Sequence, residues 1–118
     1  GVLAPNGKIY FAPCEAPQVL AIDPHAPAVE LLGPKLPRAL PGSKYSRGGV
    51  LAPNGKIYFA PYQAARVLVI DTHASTVEML GPKLSGNEKY VAPGVLAPNG
   101  KIYFAPFNAA GVLVIDPD

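Results

Sequence analysis

An all-β fold of β-propeller blades is predicted by three features of this 118-residue sequence. One 23-residue stretch is written three times, at 1–23, 49–71 and 94–116. Each copy with its linker has room for four short strands, and no ten-residue window carries a helical apolar period. Four strands in a repeat of about 45 residues are the signature of a propeller blade. The second and third copies differ only at Tyr62/Phe107, Gln63/Asn108 and Arg66/Gly111. Copies start at residues 1, 49 and 94, because the first linker is three residues longer than the second. The expected unit is one segment, 1–118, with blades at 1–48 and 49–93 and a partial third blade at 94–118 that lacks its outer strand.

Each copy opens on a short apolar run, Val2-Leu3-Ala4 in the first, followed by Pro5-Asn6-Gly7-Lys8 and then Ile9-Tyr10-Phe11-Ala12. Pro suits the first central position of a turn, Asn the second, and Gly the left-handed position that closes a bulged hairpin. The flanking β-branched and aromatic residues fit strands. Asn54-Gly55 and Asn99-Gly100 repeat the signal, and the plain reading of all three pairs is a turn and nothing more. A proline (Pro13, Pro61, Pro106) stops the second strand, and a third is expected at 19–22, 67–70 and 112–115. The aspartates that follow, Asp23, Asp71 and Asp116, read as turn residues whose carboxylates accept from nearby backbone N–H groups. A fourth strand is expected at 28–32 and 76–80, with Glu30 and Glu78 facing outward. Ile9 and Phe11 point to one face and Tyr10 and Ala12 to the other. Strands apolar on both faces fit a blade covered on both sides rather than a half-solvated sheet.

Composition excludes several roles. With 49% apolar residues the chain has enough to fold. The net charge of +2 comes from scattered lysines with no basic run, which argues against nucleic acid and against an anionic membrane surface. No stretch approaches the roughly 18 apolar residues of a membrane-spanning helix. No signal peptide opens the sequence and no Asn-X-Ser/Thr sequon occurs. Cys14 is the only cysteine, so no intrachain disulfide can form and the compartment stays unassigned. Opening on Gly1 and ending on Asp-Pro-Asp suggest a processed product or a piece of a larger protein.

The run Gly-Val-Leu-Ala-Pro-Asn-Gly-Lys-Ile-Tyr-Phe-Ala, followed by Val-Leu-Val-Ile-Asp, resembles NHL and related kelch-like propeller repeats over the whole chain except the linkers. The departures are Pro13, Pro61 and Pro106, where that family often has Asp, and the lack of Arg before the third strand outside the second copy (Arg66). The resemblance implies that the first strand lines a central channel and the fourth lies outermost. It also implies that the loops between strands two and three share a rim with the inter-blade loops.

Differences among the copies fall almost entirely in that loop between strands two and three. A site, if present, is expected to use Cys14, Tyr62 and Phe107 as apolar contacts and Glu15, Gln63 and Asn108 as polar ones. Arg66 belongs to the same loop, and Tyr45, Arg47 and Tyr90 come from the inter-blade loops. Free drift of repeat loops explains the same differences. The Asp23/His25 and Asp71/His73 pairs sit one per blade and make no metal cluster, so no metal and no cofactor are expected. No Ser-His-Asp or Cys-His set can be located.

Three blades cannot close a ring, and bare apolar faces call for association. The leading expectation is a non-enzymatic protein-interaction or structural module, its ring completed by a second copy or by a larger parent. Sealing two faces would bury about 2,000 Å² or more. The alternative is a lectin-type module binding carbohydrate through Tyr62/Gln63 and Phe107/Asn108. A propeller hydrolase ranks last, because the inner strands carry no polar ligand.

Overall fold

The computed structural model describes residues 1–13, 17–26, 28–35, 44–86 and 88–117. Eleven strands and no helix occur among them, so no helix is long and apolar enough to cross a membrane. The first sheet holds β1 (Val2–Leu3), β2 (Ile9–Phe11), β3 (Val19–Asp23) and β4 (Ala28–Leu32) in sequence order. The second holds β5 (Val50–Leu51), β6 (Lys56–Phe59), β7 (Val67–Asp71) and β8 (Thr76–Leu80), again in order. The third has only β9 (Val95–Leu96), β10 (Ile102–Phe104) and β11 (Leu113–Ile115). Every neighbouring pair is antiparallel. These are propeller blades, two complete and one short of its outer strand. The inner strands β5 and β9 touch across adjacent blades, which puts strand one at the hub.

The hairpins form as their residues require. Ala4 N–H donates to Lys8 O at 2.9 Å, and Gly7 N–H to Ala4 O at 3.0 Å. Gly7 sits at φ 85°, open to a residue without a Cβ. Asn6 does more than turn the chain. Its Oδ1 accepts from Lys8 N–H at 2.9 Å, and its Nδ2 donates to the Tyr10 hydroxyl at 3.0 Å. The same amide reaches Thr72 O of the next blade at 3.1 Å. Asn54 repeats the pattern toward Tyr58 at 3.2 Å and Pro117 O at 3.4 Å. The reading of these Asn-Gly pairs as turns alone is therefore corrected: two of the asparagines clasp one blade to the next. The aspartate turns form as expected, with Asp23 Oδ1 accepting from His25 N–H and Asp71 Oδ1 from His73 N–H, both at 3.0 Å.

Register decides which side chains share a face. In the first blade Tyr10 pairs Ala21, and Val19 pairs Leu32; all four are buried against the second blade. There they meet Ile57, Phe59, Leu68 and Ile70. The opposite face of the second blade, Val50, Tyr58, Val67 and Val69, packs on Ile102, Phe104 and Ile115 of the third. Burying each large side chain contributes about 1.5–3 kcal/mol, so these two seams are the core. The two outer faces stay bare. Leu3, Phe11, Val29 and Leu31 are exposed on the first blade, and Val95, Val112 and Val114 on the third.

Candidate functional site

One rim collects most of the sequence-predicted site residues, because the loop between strands two and three hydrogen-bonds to the inter-blade connector before and after it. Tyr62 and Ala64 N–H groups donate to Lys44 O at 2.9 and 3.0 Å, and Tyr45 bridges Pro61. One blade on, Lys89 N–H donates to Tyr62 O at 3.1 Å, Phe107 N–H to Lys89 O at 2.8 Å and Asn108 N–H to Glu88 O at 3.1 Å. Arg47 N–H reaches Val91 O at 2.9 Å and ties the two connectors together. The shared rim implied by the repeat resemblance is thus present.

Tyr45, Arg47 and Tyr62 converge, with Val91, on a cavity of about 80 Å³. The Tyr62 hydroxyl donates to Glu88 Oε2 at 3.0 Å, a bond that raises its pKa, with burial adding to it. Gln63 Oε1 accepts from Glu88 N–H at 3.3 Å. Tyr45 is buried, with its hydroxyl 3.7 Å from Met79 Sδ, and desolvation pushes its pKa up to about 12. Tyr90 donates to Gly111 O at 2.7 Å, and burial raises its pKa as well. Arg66 is half-buried, and its Nε has no hydrogen-bond partner among the described residues. Phe107 is 67% exposed beside an exposed Asn108, outside that cavity. Cys14 and Glu15 lie outside the described residues.

Two features escaped the sequence reading. Glu88 joins Tyr62 to Gln63 from a left-handed conformation, φ 51°, that a residue with a Cβ seldom adopts. Nothing in its surroundings in the sequence marks it. Lys44 and Lys89 are almost fully buried. Lys89 Nζ donates to Gly86 O at 2.6 Å, and burial lowers its pKa. Their recurrence before Tyr45 and Tyr90 was the available signal. Among the described residues no three of His, Cys, Asp and Glu come together. The His25 ring lies over Gly7 and the His73 ring over Gly55, each packed on its own blade's hairpin.

No family model and no curated protein matches the chain. Solved structures do. A catalytically inactive variant of virginiamycin B lyase from Staphylococcus aureus, with quinupristin, is similar at a TM-score of 0.65 and 18% identity. The match covers 98% of this chain and 39% of that one. The selenomethionine-substituted enzyme from the same organism gives the same values. A streptogramin B lyase structure matches at 0.63 and 16% identity, over 96% of this chain and 38% of its own. At such identity the likeness shows the propeller fold, and this chain spans about two-fifths of those proteins' length.

Proposed function

We propose that the chain is a non-enzymatic assembly module whose two bare blade faces join those of a second copy, closing a six-bladed ring about a two-fold axis. The observation that carries this is the identity of the bare faces with the covered ones. Tyr10 and Val19 at the first seam and Tyr58 and Val67 at the second have Tyr103 and Val112 as counterparts on the bare third blade. On the receiving side, Ile57, Phe59, Leu68 and Ile70 at the first seam become Ile102, Phe104, Leu113 and Ile115 at the second. On the bare first blade the same places hold Ile9, Phe11, Leu20 and Ile22. A head-to-tail contact between copies would repeat a packing the chain already makes twice.

The asparagine clasp supports the same arrangement. Among the described residues Asn99 Nδ2 donates to the Tyr103 hydroxyl at 3.0 Å and to no other blade. Pro24 O holds the place on a second copy's first blade that Thr72 O and Pro117 O hold within the chain. The lyase activity of the neighbours attaches to proteins that share less than a fifth of their residues with this one. The rim also serves a carbohydrate less well than its sequence promises, since Tyr62 and Gln63 both bond to Glu88.

Sedimentation equilibrium tests the proposal. A mass of twice the 12.3 kDa chain is expected. A monomer that unfolds cooperatively would overturn it.

A further inference from the structure

The rim cavity of about 80 Å³ is built wholly from the middle of the chain, by Tyr45, Arg47, Tyr62 and Val91. Backbone bonds close its frame. Arg47 N–H donates to Val91 O at 2.9 Å, Tyr62 N–H to Lys44 O at 2.9 Å, and Lys89 N–H to Tyr62 O at 3.1 Å. Tyr45 is fixed by burial, with its hydroxyl 3.7 Å from Met79 Sδ. The walls are therefore set before a ligand arrives, which keeps the ordering cost of binding small.

The walls offer a donor on one side and an acceptor on the other. Arg47 is exposed, and its guanidinium has no carboxylate partner among the described residues. The Glu88 bond raises the Tyr62 pKa most, and Arg47 lies close enough for its charge to oppose that rise. The Tyr62 hydroxyl gives its hydrogen to Glu88 Oε2 at 3.0 Å, so it meets a ligand with its lone pairs. The Tyr45 ring and Val91 supply the apolar surface between. Lys44 and Lys89, bonded to the Tyr62 backbone, join Arg47 against Glu88 alone, and this balance favours an anionic group.

We propose that the cavity captures the C-terminal end of a peptide with a small last residue. A guanidinium fork matches a carboxylate, and the residue's own amide N–H, a few atoms away, is the donor that the Tyr62 oxygen can accept. A bare inorganic anion would leave that oxygen facing a second acceptor. The volume suits one small terminal residue. This goes beyond the two-copy ring and does not need it, since the ring uses the blade faces and this site lies on the rim.

The experiment titrates the isotope-labelled full chain with N-acetylglycine, followed by NMR. Saturable shifts at Arg47, Tyr62 and Val91 are expected. N-acetylglycinamide, which lacks the charge, should bind at least about tenfold more weakly, as should N-acetylglycine to Arg47→Gln. That variant should melt as the wild type does, because the side chain is exposed and its backbone bond remains. Propionate, which has the carboxylate without the N–H, should bind more weakly than N-acetylglycine, and Tyr62→Phe should erase that difference. N-acetyltriglycine binding more tightly than N-acetylglycine would identify a chain end as the occupant, and the reverse a free acyl amino acid of the same chemistry. No saturation, equal binding of the amide, undiminished binding by Arg47→Gln, or shifts away from the cavity would overturn the proposal. Sedimentation reports on the faces and the titration on the rim, so either result stands without the other.

Discussion

Gly33 and Gly81 are the same residue of the repeat, at φ 72° and 77°, in different surroundings. An alanine at either should cost about 1–2 kcal/mol for the left-handed backbone. At Gly33 alone the added Cβ meets Val77, and overpacking adds roughly 1–3 kcal/mol. Denaturant unfolding of Gly33→Ala and Gly81→Ala side by side should show the larger loss at Gly33. Equal losses would contradict the open space beside Gly81. Sequence foresees neither environment, because the two glycines sit in the same Gly-Pro-Lys-Leu context. The aspartate turns are different. Asp71 accepts from Ala74 and His73 N–H groups, which lower its pKa, and that short-range bonding was legible from the residues alone.

At the scale of the element, β7 is the most enclosed strand, with Leu68 and Ile70 fully buried on one face and Val67 and Val69 nearly so on the other. Ile70→Asp would leave an unpaired carboxylate between two blades, at a cost of about 3–5 kcal/mol. Small domains have only about 5–15 kcal/mol in total, so thermal unfolding should begin far below the wild-type midpoint. A wild-type melting curve would show that β7 is not covered on both sides. The strands themselves were readable: 28–32 and 76–80 match β4 and β8 end for end. The third strands run one residue further in the first two blades, into Asp23 and Asp71, and begin one residue later in the third, at Leu113. The apolar alternation and the Asn-Gly turns carry that information locally. The rim was legible only in part. Tyr45, Arg47 and Tyr62 do meet, whereas Glu88 enters through a backbone conformation that no residue pattern announces.

For the whole molecule the matter is what covers the outer faces. Val114 holds on the third blade the place that Val69 holds on the second, yet it is 48% exposed where Val69 is 2%. Val114→Asp should leave the chain folded, since the carboxylate points to solvent in a single copy. It should weaken the proposed pairing of two copies by at least about tenfold, because closure would bury that charge. Circular dichroism would follow the fold and sedimentation the association. A variant that still sediments as a dimer would remove the bare third face from the interface.

The repeat, its strands and turns, and the apolar character of both faces of every blade are written in the residues, since these follow from short-range pattern. Packing between blades settled which faces meet. It also gave the asparagines their hold on the next blade. Three copies of nearly the same sequence end in three different environments, because each blade's burial is set by its neighbours.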